Sequence, residues 1–223
     1  MLVRIPGVLS ENELHEVGRL LADAPFVDGK LSAGRLARGL KNNLEVARDA
    51  PVLEALNRIV MNALVQHPVY QSAALPRYVA TPFYARYSPG MGYGDHVDDP
   101  IMGSGAAYRS DIALTLFLSA PQDYEGGELA IQTSFGEQTC KLSAGDAVLY
   151  PASSVHRVNP VTRGTRVVAV TWIQSRVREP DRRELLYEIC RARERLMQKA
   201  PDAEETRCVD RAYVNLVRMW AEA

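Results

Sequence analysis

Apolar residues along this chain change period twice, from helical spacing to alternation and back. Leu14, Val17, Leu20 and Leu21 recur at helical spacing behind Ser10 and Glu13, an S-x-x-E capping box that opens a helix. A second stripe, Leu53, Leu56, Ile59, Val60 and Leu64, begins near Asp49 and Pro51, where proline fits a first turn. Residues 26–43 lie between them with glycines, basic residues and no period, and read as a loop reaching toward a site. From about Tyr78 the period falls to two, which predicts strands at 79–87, 112–118, 128–132, 138–142, 147–150 and 166–173. SPGMGYG, EGGE, SAGD, Pro151 and Pro160 divide them. After Arg178 the helical period returns. Leu185, Leu186, Ile189, Cys190, Leu196 and Met197 line one helix starting near Pro180, and Val209, Tyr213, Leu216, Val217 and Trp220 line another beyond Ala200-Pro201-Asp202.

Many short strands without intervening helices predict a sandwich or barrel, so the class is α+β with a mainly β core. The expected division is a helical support region at 1–77, a β core at 78–178 and a C-terminal helical hairpin at 179–223. Apolar stripes on that hairpin predict a homo-oligomer formed through it.

Composition narrows the picture. With 47% hydrophobic residues in 223, a substantial core can be buried. Twenty-six basic side chains against 27 acidic ones give a net charge of -1, which disfavours a nucleic-acid partner. Three cysteines, Cys140, Cys190 and Cys208, make an odd set without a CxxC pair, as expected in a reducing compartment. The opening MLVRIPGVLSENEL has no signal-peptide apolar run, and no stretch approaches the ~20 apolar residues of a membrane span. A cytoplasmic protein without a membrane partner is expected.

Chemistry gathers in the β region. Of four histidines, His96 and His156 fall at predicted strand boundaries. Asp98 follows His96 by two, and in extended backbone that spacing turns both side chains to one side. Two imidazoles and a carboxylate are the ligand set of a mononuclear non-haem iron site, with opposite positions open for substrate and oxygen. Asp99 is then expected to face away and hydrogen-bond the loop, with His15 on a helix surface and His67 at a helix end. Arg166 opens RVVAVTWI, in which Arg166, Val168, Val170 and Trp172 share a face. If that face is internal, the guanidinium needs an anion, because an unpaired buried charge is costly. Its planar fork suits the distal carboxylate of 2-oxoglutarate.

Each residue also has a plainer reading. H-x-D arises often by chance, His156 reads as a turn histidine, Arg166 as a surface arginine near Arg163, and Tyr84 and Tyr87 as aromatic core. The combination carries the argument. Tyr87 on an inward face can donate to a carboxylate, Tyr93 precedes His96 by three, and the SPGMGYG glycines allow a sharp turn beside a metal. No catalytic group is assigned beyond the metal centre. A cupin-like metalloprotein could use the same three ligands without 2-oxoglutarate, but has no need of Arg166. A non-catalytic jelly-roll binding module has no need of the ligands. A nucleic-acid demethylase finds no aromatic-basic stripe to support it.

YSPGMGYGDHVDDP, EGGEL and GDAVLYPASSVHRVNPVTRGTR resemble the catalytic core of Fe(II)/2-oxoglutarate dioxygenases of the prolyl 4-hydroxylase-like superfamily, in particular bacterial PKHD-type hydroxylases. The resemblance runs over nearly the whole chain. It implies a double-stranded β-helix (jelly roll) with Fe(II) at one open end, His96, Asp98 and His156 on the metal, and Arg166 on 2-oxoglutarate. It places Tyr87 as a co-substrate-binding tyrosine and implies L-ascorbate (vitamin C) as an accessory. The implied reaction is an oxidoreductase hydroxylation releasing succinate and CO2. Peptide side chains, amino acids and small molecules such as an iron chelator are all open as substrates. Collagen-type prolyl hydroxylases carry lysine in place of Arg166, which weakens any carry-over of their proline substrate.

Overall fold

The computed structural model describes every residue except 33, 35, 36, 104 and 223. Three of these fall in the 26–43 segment expected to reach toward a site, and that expectation lies to this extent outside the described residues.

The chain opens with β1 (Val3–Ile5), α1 (Glu11–Ala22), β2 (Phe26–Asp28), 3-10 turns at Gly29–Ser32 and Ala37–Gly39, β3 (Lys41–Asn42) and β4 (Leu44–Val46). Helices α2 (Val52–Gln66) and α3 (Pro68–Ala74) follow. Next come β5 (Pro76–Val79), β6 (Phe83–Tyr87), β7 (Gly92–His96), β8 (Ile101–Met102), β9 (Tyr108–Arg109), β10 (Ile112–Phe117), β11 (Tyr124–Gly126) and β12 (Leu129–Thr133). Strands β13 (Gly136–Cys140), β14 (Ala147–Pro151), β15 (His156–Val158), β16 (Val161–Gly164) and β17 (Arg166–Ser175) complete the β region, and α4 (Pro180–Lys199) and α5 (Glu204–Trp220) close it. The capping box forms as expected: Glu13 N donates to Ser10 Oγ, and the Glu13 carboxylate accepts from Ser10 N at 2.8 Å.

Two sheets make the jelly roll. The larger runs β1-β14-β10-β17-β6-β4-β2 with β5 also on β17, and the smaller runs β13-β12-β15-β7-β3. Alternation sorts side chains into two cores. On β10, Ile112, Leu114 and Leu116 face the helices, where they cluster with Val17, Leu56, Val60, Leu64 and Tyr70. Ala113 and Phe117 face inward and meet Leu129, Ile131 and Val158 of the smaller sheet. Strand β17 follows the same rule, with Ala169 and Ile173 outside and Val168, Val170 and Trp172 inside. Arg166 therefore points into the roll.

Three features depart from the expected pattern. The strand expected at 79–87 is broken into β5 and β6, both on β17. Val79 pairs with Ile173 and Phe83 with Val170, so four steps on one side match three on the other, a bulge closed by Pro82, which has no N–H to give. The loop expected at 26–43 contains β2 and β3, edge strands too short and polar to show a period. Strand β7 is glycine-rich and was read as a turn leading to His96; its backbone is held by β15 and β3 instead.

All three cysteines are free thiols. Among the described residues, no helix is long and apolar enough to cross a membrane. Leu56, fully buried between α2 and the larger sheet, reports on the outer core. Leu56→Ala should cost about 2–5 kcal/mol in urea denaturation, and a loss under ~1 kcal/mol would mean that α2 is not seated there.

Candidate active site

His96 and His156 are direct cross-strand partners of β7 and β15. Val158, two residues after His156, pairs with Tyr93, three residues before His96, so β7 takes three steps where β15 takes two. This bulge at Gly94 and Asp95 has a consequence. In regular strand, residues three apart face opposite ways. Here Tyr93 and His96 face the same way and stack, ring centroids 3.7 Å apart and planes 14° from parallel. Asp98 lies just past β7, tied by its N–H to the Ala152 carbonyl at 3.3 Å. Its Oδ1 sits 3.8 Å from His156 Nε2, and ligand atoms of His96, Asp98 and His156 all lie within 4.8 Å of one another.

The imidazoles are set for metal binding. The Gly94 carbonyl is 2.8 Å from His96 Nδ1, and the Ser154 carbonyl 3.0 Å from His156 Nδ1. A carbonyl only accepts, so each Nδ1 carries the proton and each Nε2 keeps a free lone pair. Burial pushes the His96 pKa down to about 4, with the neighbouring His156 ring adding to the effect, so the ring is neutral near pH 7. Burial raises the Asp98 carboxyl, and His156 pulls it back. The Trp172 indole lies close enough to favour the Asp98 anion. It closes no hydrogen bond, however, and both Trp172 Nε1 and Asp98 Oδ2 are buried without a partner. A desolvated carboxylate oxygen beside two imidazole lone pairs is a donor set suited to a divalent cation such as Fe(II).

Arg166 is the second anomaly. It is 1% exposed, yet Nε and Nη1 make no hydrogen bond, and no carboxylate pairs with it among the described residues. Its neighbours are rings: Tyr87, its partner across β6 and β17, at 5.0 Å from the guanidinium carbon, and Phe117 at 5.7 Å. The Tyr124 hydroxyl is also buried and unpartnered. Burial lifts the Tyr87 pKa to about 12 against the opposing pull of Arg166, so Tyr87 keeps its proton to donate. Gly127, at φ +66°, makes room: a Cβ there would meet Val161, Arg166 and Tyr124 at 2.9, 3.0 and 3.2 Å. Tyr150 links the two halves, its ring 5.0 Å from that of His156 and its hydroxyl within electrostatic reach of Asp98, Arg166 and Tyr87. A buried guanidinium with free N–H groups fits a carboxylate-bearing keto acid.

Other expectations fall as follows. The Asp99 carboxylate lies by Gly34, while its carbonyl accepts from Ser110 Oγ. His15 is exposed, and His67 joins α2 to α3 with Nε2 3.2 Å from the Pro6 carbonyl. Sequence reasoning missed Lys41, Asn43 and Glu45, all buried beside the site. Their i, i+2, i+4 spacing was the available signal, hidden because an inward polar row looks like a solvated one.

Residues 82–174 match the 2OG-Fe(II) oxygenase superfamily, and residues 181–222 the PKHD-type hydroxylase C-terminal domain. The chain is 53% identical to a PKHD-type hydroxylase of Thioalkalivibrio sulfidiphilus over 223 residues, the whole of both chains. It belongs to the PKHD-type hydroxylase family. A PKHD-type hydroxylase of Acaryochloris marina is 45% identical over 222 residues, again all of both chains. In fold, the hydroxylase is similar to a prolyl hydroxylase of Trichoplax adhaerens, with TM-score 0.54 at 16% identity, covering 77% of this chain and 82% of that one. This PKHD-type hydroxylase is thus an Fe(II)- and 2-oxoglutarate-dependent oxygenase with the jelly-roll core of its superfamily.

The strain of burying Asp98 is measurable. Asp98→Asn removes a desolvated charge, and at pH 8 should raise the melting midpoint of the metal-free hydroxylase by ~2–4 °C, about 1 kcal/mol. An unchanged or lower midpoint would show that Asp98 is satisfied within the protein.

Proposed function

We propose that His96 and His156 bind Fe(II) through Nε2 and Asp98 through a carboxylate oxygen, that Arg166 grips the distal carboxylate of 2-oxoglutarate, and that the Tyr87 hydroxyl donates to the same co-substrate. The observation that carries this reading is the buried Arg166 with two free N–H-bearing nitrogens and no anion. A cupin-like metalloprotein or an inert jelly-roll module leaves that charge without a purpose.

Fe(II) held by these residues would supply the redox centre at which dioxygen, the oxidant, gives one oxygen atom to succinate as 2-oxoglutarate loses CO2 and the other to the substrate as a hydroxyl. The chain's residues do the rest. Their Nδ1–H bonds to Gly94 and Ser154 hold the two imidazoles in one tautomer and one orientation, so the ligand lone pairs are fixed before metal arrives. Arg166, sealed among Tyr87, Phe117 and Tyr124, orients the co-substrate and keeps water from its carboxylate. Ligands taken from one side of the site leave the other side open to substrate.

The substrate we leave as a peptide side chain, an amino acid or a small molecule such as an iron chelator, with L-ascorbate as an accessory reductant. Residues 78–178 carry the chemistry in this reading, with 1–77 as support and 179–223 as an appended helical unit. Leu185, Val214 and Met219 are exposed on α4 and α5, which supports self-association there. A net charge of -1 and reduced thiols support a cytoplasmic enzyme acting on neither nucleic acid nor membrane.

Anaerobic addition of 2-oxoglutarate to the Fe(II)-loaded protein should give a weak visible charge-transfer band; its absence from folded, metal-loaded protein would refute the assignment. Titrated through that band, Arg166→Ala should weaken 2-oxoglutarate by ~100-fold or more, the cost of removing one side of a buried charge pair. Fe(II) affinity should stay within ~3-fold, since Arg166 is not a ligand. Equal co-substrate affinity in variant and wild type would remove Arg166 from this role.

A further inference from the structure

The strand that crosses from the smaller sheet to the larger carries a polar row that neither the metal nor Arg166 uses. Strand β3 pairs Lys41 with Tyr93, and β4 pairs Leu44 with Arg86 and Glu45 with Ala85. Continuing that antiparallel register sets Asn43 opposite Tyr87. Lys41, Asn43 and Glu45 alternate along the crossing and are all buried, Asn43 to 2% exposure. Lys41 Nζ reaches over Asn43 to Glu45 Oε1 at 2.5 Å and also meets Ser32 Oγ at 2.7 Å. On the other side Gly29 N donates to the Asn43 carbonyl at 2.9 Å. A Cβ on Gly29 would fall 2.0 Å from Asn43 Oδ1, so the glycine exists to let this amide in.

Held this firmly, the Asn43 side chain still has both Oδ1 and Nδ2 buried without a hydrogen bond. An apolar side chain of similar size would fill the space without that desolvation cost. The amide lies near the Tyr87 hydroxyl, close enough to favour its ionised form, although no hydrogen bond closes between them. Tyr87 in turn stands against Arg166 across β17.

We propose that Asn43 is a positioning residue for co-substrate binding: when 2-oxoglutarate occupies the pocket, the Nδ2–H left free in this structure donates to the Tyr87 hydroxyl oxygen and so turns the Tyr87 proton toward the co-substrate carboxylate. This rests on the role given above to Tyr87. The Lys41–Glu45 pair and Gly29 fix the amide, which gives the 26–43 segment its function at the site.

A double-mutant cycle tests it. Wild type, Asn43→Leu, Tyr87→Phe and the double variant are loaded with Fe(II), and 2-oxoglutarate is titrated anaerobically through the visible charge-transfer band. Each single change should weaken binding by ~10-fold, the scale of one buried hydrogen bond. The double variant should be no weaker than the poorer single variant, because Asn43 acts only through the Tyr87 hydroxyl. Fe(II) affinity should not change, and without co-substrate the Asn43→Leu melting midpoint should be no lower than wild type. Asn43→Asp, of the same size but without the N–H, replaces Asn43→Leu if that variant fails to fold. Multiplicative weakening in the double variant to ~100-fold, or an Asn43 variant that binds normally, overturns the inference while leaving Tyr87 on the co-substrate. Normal binding by Tyr87→Phe alone refutes the Tyr87 role itself and takes the inference with it.

Discussion

Pairing of β7 with β15 is the constraint on which the site depends. It sets His96 directly opposite His156. Strand side chains alternate, so a one-residue slip would turn His96 outward and dismantle the site. The register is pinned from both sides: β15 is zipped to β12 through Leu129, Ala130 and Ile131, and β7 is bound to β3 through Lys41 and Asn42. The bulge then adds what regular pairing cannot. By inserting one residue between Tyr93 and His96 it stacks an aromatic ring on the His96 imidazole, which limits that imidazole's rotation.

Around this geometry the interior is under-satisfied. Asp98, Trp172, Arg166, Tyr124 and Asn43 all bury polar atoms without hydrogen-bond partners. Each costs on the order of 1–3 kcal/mol in a protein that gains nothing from it. The outer core, where Leu56, Leu64 and Leu116 are fully buried against the larger sheet, supplies the stability that tolerates this cost. Charge and desolvation are concentrated where ligands of opposite charge are due, which is the usual trade between stability and function.

The parts of this arrangement that obey a period were legible in the sequence. Capping box, α1, α2, α4, α5 and the shared face of Arg166, Val168, Val170 and Trp172 on β17 follow from spacing alone; that this face turns inward came from the packing, and it is what makes Arg166 meaningful. The parts that escaped are those whose side chains break the usual rule. Strand β7 reads Gly-Tyr-Gly-Asp-His, with no apolar face, because its backbone and a bulge matter more than its packing. Strands β3 and β4 and the residue between them bury Lys41, Glu45 and Asn43, and a rule that sends charged and polar side chains to the surface cannot place them inside. Pro82 hid a bulge in what reads as a continuous strand.

The two sheets are also unequal, and that inequality bears on how the site works. The larger sheet is covered on both faces, by the helices outside and the roll within, and it carries Arg166 and Tyr87. The smaller sheet contributes only to the inner cluster among the described core residues, and its edge strand β13 is exposed over Gly136, Glu137, Gln138 and Thr139. It carries His96 and His156. The groups proposed to anchor the co-substrate are thus built into the doubly packed wall, whereas His96 and His156 sit on the thinner one, near the exposed Val97 and Ile101. On the proposed roles, the doubly packed wall would hold the far end of the keto acid. The partly exposed strand end beside the metal is where a substrate of variable shape can approach without disturbing that anchor.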